Sequence, residues 1–207
     1  MGTPISWAKP VKLLIATRNT GKITEFRTRL RDLPLSLATL EDFPDIREIN
    51  ETGETFRDNA RIKALGYAKG SGLFSLADDS GLEVDALNGA PGVHSARFAG
   101  ADTTYAVKIG RLLVVVDAAD RADRHARFVS HIVLAKPNGT VLYEAEGVCE
   151  GTIAEGPTGS NGFGYDPIFI PTGFTETFGE LDHAIKQQIS HRAIALAKII
   201  RFLRDFA

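Results

Sequence analysis

The run Val11-Lys12-Leu13-Leu14-Ile15-Ala16, followed by Thr17-Arg18-Asn19-Thr20-Gly21-Lys22-Ile23, decides the fold. Its first six residues are apolar or β-branched and too few for a helix, which predicts a buried strand. Thr17 to Gly21 is turn chemistry, after which Ile23, Phe26 and Leu30 recur at helical spacing. Strand, polar loop and helix in that order open an α/β fold, and the rest of the chain agrees. Thr55 and Asp58 stand as the first and fourth members of a capping box, ahead of a helix with Phe56, Ala60, Ala64 and Tyr67 on one face. Residues 74–78 read as a strand entering a Gly- and Pro-rich loop over 80–100, and residues 104–117 as a helix. Strands are expected over 126–135 and 140–146, with 147–154 extending the meander. Pro137-Asn138-Gly139 between them predicts a hairpin with a primed turn, because Asn-Gly accepts positive φ. A last helix runs over 191–206, capped by Ser190, with Leu196, Ile199, Ile200 and Leu203 as its apolar stripe. Helices flanking a mixed central sheet satisfy these elements.

Composition narrows the class. The 207 residues, 43% hydrophobic and 24% charged, suit one globular domain and exclude disordered or fibrous chains. No apolar run reaches the ~18 residues of a membrane span, and residues 1–10 lack the pattern of a signal peptide, so a cytoplasmic protein is expected. Cys149 is the only cysteine, which removes internal disulfides and cysteine-built zinc sites. With 24 Lys plus Arg against 26 Asp plus Glu, there is no global basic field to hold nucleic acid. A small polyanion needs only a local basic pocket.

Such a pocket has candidates. The segment from Ala16 to Ile23 nearly matches a phosphate-binding P-loop but has Ala16 in place of glycine and Ile23 in place of the metal-binding hydroxyl. The free N–H groups of a helix start, the Asn19 side chain and Lys22 still suit phosphate oxygens; the same residues also read as a capped turn with a solvent lysine. Glu51 lies in a polar loop, and Asp78-Asp79-Ser80-Gly81 closes a strand. Alternation puts Asp78 on the side of Phe74 and Leu76 and Asp79 on the other, so one aspartate is expected to face a cleft, Asp79. Glu51 and Asp79 supply hard oxygens of the kind Mg²⁺ takes, although Asp-Asp-Ser-Gly taken alone reads more readily as a turn. Lys63 shares a helix face with Asn59. Phe163 within Gly162-Phe163-Gly164-Tyr165-Asp166 could stack on a base, and Lys186 with Ser190-His191-Arg192 forms a set of donors. The remaining histidines show no metal-ligand spacing.

Taken in chain order, Thr17-x-Asn19-x-x-Lys22, Glu51-Thr52-Gly53, residues 56–63, Ala77-Asp78-Asp79-Ser80-Gly81-Leu82, Gly162-Phe163-Gly164-Tyr165-Asp166-Pro167 and Ile189-Ser190-His191-Arg192 resemble the non-canonical purine nucleoside triphosphate pyrophosphatases, the inosine/xanthosine triphosphate pyrophosphatase family. The resemblance implies Mg²⁺-dependent hydrolysis of XTP, ITP and dITP to the monophosphate and pyrophosphate. It also implies a homodimer whose protomers have two lobes with an active-site cleft between them. By matching position, Thr17, Arg18, Asn19, Thr20, Gly21 and Lys22 would bind the triphosphate, Glu51 and Asp79 the metal, and Asp79 would act as base with Lys22 as its catalytic partner. Lys63, Ser80 and Lys186 would contact substrate, while Phe163, Gly164, Tyr165, Asp166, His191 and Arg192 would surround the base. Residues 1–10 extend beyond the usual start of the family, leaving 11–207 as a single domain.

Charge argues in the same direction. A triphosphate repels nucleophiles, so a cation and lysines that absorb charge lower the barrier to attack at the α-phosphorus. Hypoxanthine and xanthine present an acceptor at C6 where adenine presents a donor, which favours donors such as Arg192 and His191. Two alternatives are weaker. A septum-inhibitor-type pyrophosphatase is disfavoured by the Phe-Gly-Tyr-Asp and Ser-His-Arg segments, and a single-strand-binding module by the near-neutral charge.

Overall fold

A computed structural model of the protein describes residues 11–119 and 123–205. The extension at residues 1–10 and Phe206, the last residue of the predicted terminal helix, lie outside the described residues. Strand β1 (Val11–Ile15) has parallel neighbours on both sides, β2 (Leu35–Thr39) and β3 (Phe74–Val84), with Leu13 opposite Leu37 on one and Phe74 on the other. Parallel pairing needs long crossovers, and α1 (Thr20–Leu30) and α2 (Phe56–Ser71) lie in them. Asn19 caps α1 by accepting from the Lys22 N–H at 3.0 Å, and Thr55 caps α2 by accepting from the Asp58 N–H at 3.1 Å. Helix α3 (Tyr105–Ala118), strands β4 (His125–Ala135), β5 (Val141–Ile153) and β6 (Phe169–Pro171), and helices α4 (His183–Ile189) and α5 (His191–Asp205) complete the chain. The sheet order is β2-β1-β3-β4-β5-β6, with β5 and β6 antiparallel, so the sheet is mixed as expected.

Packing divides the chain into two compact units. Among the described residues the first comprises 11–79, His131–Glu146 and 194–205, and the second Ser80–Ser130 and Gly147–Ala193. The chain therefore crosses between them at 79/80, 130/131, 146/147 and 193/194. In the first unit both faces of the sheet are covered. Leu13, Ile15, Leu76, Ile132 and Leu134 pack with Phe26 and Leu30 of α1 and Leu196, Ile199 and Leu203 of α5. Leu14, Ala16, Ala77, Val133 and Ala135 pack with Ala60, Ala64, Tyr67 and Ala68 of α2. The second unit has its own core of Leu82, Val84, Ile109, Leu112, Phe128, Tyr165, Phe169 and Phe178.

Two expectations need correction. The strand starting at Phe74 does not end at Asp78: it continues to Val84, because Leu82 and Val84 alternate into the second core. The loop expected over 80–100 therefore begins later. Its returning end is tied by Ser95, whose buried hydroxyl accepts the Leu82 N–H at 2.9 Å. The hairpin at Pro137-Asn138-Gly139 forms, but its turn is not primed. Gly139 N–H donates to Lys136 O at 3.1 Å, and Gly139 alone in the turn has positive φ, 84°. Pro137, locked near φ −65°, takes the second position of an ordinary turn, and Gly139 follows as the left-handed residue. Strands β2 and β6 and helix α4 had no counterpart among the sequence expectations.

Candidate active site

In the first unit the strand β3 brings two aspartates to opposite faces of the sheet. Asp78 lies on the face covered by α1, and its Oδ2 accepts from Lys22 Nζ at 2.7 Å. Asp79 lies on the α2 face, and its Oδ1 accepts from Lys63 Nζ at 2.9 Å. The same ammonium donates to Glu51 Oε1 at 3.0 Å, so Glu51 and Asp79 are held together on one amine. The expected alternation holds, with Asp78 on the side of Leu76 and Asp79 on the other, and each aspartate meets a lysine. Asp78, 1% exposed, is the functional candidate that sequence reasoning missed; the signal was a strand whose two faces both carry a helix.

Burial is the strongest single influence on Lys63 and opposes its charge, yet Asp79 and Glu51 together leave its pKa above the ordinary lysine value. Burial likewise dominates at Asp79, where it holds the carboxyl above the usual range against the pull of Lys63 and Lys22. Asp79 Oδ2 is buried with no hydrogen bond among the described residues. An orphaned carboxylate oxygen beside a second carboxylate is a hard donor set that fits a divalent cation. Mg²⁺ asks for one or two carboxylates, with water and phosphate completing its shell. No group of three or more His, Cys, Asp or Glu side chains placed for a metal exists among the described residues, so any cation here would rest on this two-carboxylate kind of site.

The turn between β1 and α1 is ordered by its own side chains. Thr17 Oγ1 accepts from the Asn19 N–H at 3.2 Å, and Asn19 Oδ1 is committed to the helix cap. Arg18 and Thr20 are exposed, and Gly21 and Lys22 are half-buried in the first turn of α1. The first N–H groups of a helix have no intrahelical acceptor, so this end is suited to an anion.

The second unit gathers the other residues. Asp166, 2% exposed, accepts from the Phe163 N–H at 2.7 Å and from Lys186 Nζ at 2.5 Å. The Lys186 ammonium lies 4.6 Å from the Phe163 ring centroid and the Arg192 guanidinium 5.5 Å from it, a ring set among cations. Arg192 donates from Nη2 to Ser80 Oγ at 2.7 Å. His191 is buried and stacks on Phe128 at 4.7 Å. Tyr165 is committed to the core: its hydroxyl donates to Ser95 O at 3.0 Å, and its ring meets that of Tyr105 edge-on at 5.4 Å. Gly164, with φ 71°, lies against the Tyr105 ring. Tyr105, at the first position of α3, is the aromatic neighbour of this segment that the sequence did not single out. Burial pushes the Cys149 thiol up to about 12, which leaves it no nucleophilic role.

A model of the Ham1 family matches residues 13–202. The dITP/XTP pyrophosphatase of Desulforamulus reducens is 45% identical over 193 residues, 93% of this chain and 96% of that protein. The dITP/XTP pyrophosphatase of a Synechococcus species is 48% identical over 185 residues, 89% of this chain and 86% of that protein. Among solved structures, a HAM1 protein from Coxiella burnetii aligns with a TM-score of 0.87 at 44% identity, covering 94% of this chain and 99% of that one. The Ham1 protein of Staphylococcus aureus aligns at 0.84 with 37% identity, covering 95% and 100%.

Proposed function

This chain belongs to the Ham1 family, and from that premise we propose that it hydrolyses dITP, XTP and ITP to the monophosphate and pyrophosphate, clearing deaminated purines from the nucleotide pool. The observation that carries this reading is the Asp79 cluster, in which one lysine holds two acids together and Asp79 keeps an unused oxygen. We assign Mg²⁺ to Glu51 and Asp79; when bound it would supply positive charge to the polyphosphate. Lys22 and the start of α1 bind phosphate oxygens and absorb charge as it moves to the leaving group. Asp79 takes the proton of the attacking water, on the carboxylate oxygen that the cation leaves, as that water's oxygen bonds to the α-phosphorus. The α–β bridging P–O bond breaks, and pyrophosphate departs. Phe163 stacks on the base, while Arg192, Lys186 and His191 supply donors around it. Residues 11–207 act as one domain, in a cytoplasmic homodimer.

Pyrophosphate release from ITP, GTP and dTTP, with and without Mg²⁺ and in heavy-oxygen water, tests the reading. ITP is expected to be the preferred substrate, cleaved only with metal, and the label to enter the monophosphate. Label in pyrophosphate would reverse the direction of attack, and equal cleavage of dTTP would remove the purine assignment.

Arg192 bears on selectivity. Its guanidinium is a planar fork of five donors, and from Nη2 it donates to Ser80. Adenine opposite such a donor leaves it unpaired, at a cost of about 1–3 kcal/mol. Arg192→Ala is therefore expected to lower the ITP-to-ATP ratio of kcat/KM by about 5- to 150-fold. An unchanged ratio takes Arg192 out of base reading.

A further inference from the structure

Asn59 lies on α2 one turn before Lys63, so the two side chains share a face. It is fully buried, and its Oδ1 accepts the Gly53 N–H at 2.8 Å, which fixes the orientation of the carboxamide. Its Nδ2 has no hydrogen-bond partner among the described residues. Gly53 is two residues from Glu51, and the loop is pressed against the helix: a Cβ at Gly53 would lie 2.6 Å from Asp58 Cβ and 2.9 Å from Asn59 Oδ1. One turn of α2 therefore grips this loop twice, at Gly53 through Asn59 and at Glu51 through Lys63. A buried, half-paired carboxamide is less favourable than an apolar side chain of similar volume. The carboxamide oxygen, unlike an apolar side chain, accepts the Gly53 N–H.

We propose that Asn59 is a positioning residue, which through Gly53 sets the Glu51 carboxylate against Asp79. This rests on the assignment of Glu51 to the reaction. The Glu51 backbone sits in a polar loop outside any helix or strand, and without a fixed point beside it the carboxylate could swing away from Lys63. Asn59 never meets the substrate; its effect passes entirely through the loop.

The test compares Asn59→Ala, Gly53→Ala, Glu51→Gln and the double variants in the full chain, with ITP as substrate. Asn59→Ala and Gly53→Ala are each expected to lower kcat by about 10- to 100-fold and to raise the Mg²⁺ concentration for half-maximal activity, as loss of outer-shell support does, with KM for ITP little changed. Neither should lower kcat further when added to Glu51→Gln, because residues acting through one group are not additive. In the nucleotide-free protein, Asn59→Ala should also speed hydrogen exchange at the Gly53 amide. Gly53→Ala disturbs the same contact from the loop side and serves if the buried substitution prevents folding. The proposal fails if Asn59→Ala lowers only the melting temperature, or if its kcat loss multiplies that of Glu51→Gln. A fully active Glu51→Gln would instead overturn the assignment of Glu51 itself.

Discussion

Asp79→Asn will lower kcat by about 10²- to 10⁴-fold, the range expected for a lost general base, while the melting temperature stays at or above that of the unmodified protein. The substitution keeps the shape of the side chain and an acceptor for Lys63, but it removes the basic oxygen and one of two carboxylates. Its effect on stability follows from the pKa of Asp79, which burial holds above the ordinary value against Lys63 and Lys22. A carboxyl whose folded pKa exceeds its unfolded one favours the fold most when protonated, below the unfolded pKa, and that advantage is lost as pH rises through the folded value. At neutral pH the charge on Asp79 is therefore kept for chemistry, and Lys63 retains Glu51 as its partner in the variant. Protonation of the same carboxylate ends activity, so kcat falls on the acid side. Measurement of kcat from acid to neutral pH, with thermal melts in parallel, checks both parts. A variant within about tenfold of the original kcat would remove Asp79 as base.

The second large effect is on stability. Asp166→Ala is expected to destabilise the protein by about 3–5 kcal/mol, the cost of breaking a buried ion pair from one side. Lys186 is 4% exposed and donates to Asp166 at 2.5 Å, so without the carboxylate its charge lies buried beside Phe163 and Phe178 with that partner gone. The Phe163 N–H loses its acceptor at the same time. Pairing Asp166→Ala with Lys186→Met should recover much of the loss, since a buried pair replaced by apolar groups is often neutral. Denaturant unfolding of both variants decides the matter; a single-variant loss below about 1 kcal/mol would mean that water reaches Lys186 and that the pair is not structural.

What could be read from the sequence was local. The caps at Asn19 and Thr55, the β1–α1 turn and the apolar stripe of α5 depend on residues within a few positions of each other, and each stands where its side chains predict. What could not be read depends on distant partners. Ser80–Val84 looks like loop until Leu82 and Val84 are given a core to fill. Asp78 looks like the silent member of a pair until α1 brings Lys22 to its face of the sheet. The primed turn was excluded by Pro137, whose ring outweighs the preference of Asn-Gly. The candidate site residues are singled out because their order along the chain matches a family; their spacing alone does not reveal that Lys63 spans Glu51 and Asp79, residues 12 and 16 positions away.

The interleaving of the two units has a consequence for biosynthesis. The first unit includes strand β1, the earliest of the described elements, and Leu203 of α5, which seals the same core. The second needs every segment up to Ala193. A ribosome translating this message thus carries a chain that cannot finish either half until almost all of it has emerged. Its apolar strands must wait in the meantime, which makes the nascent protein a natural client for chaperones and a poor candidate for splitting into separately produced pieces.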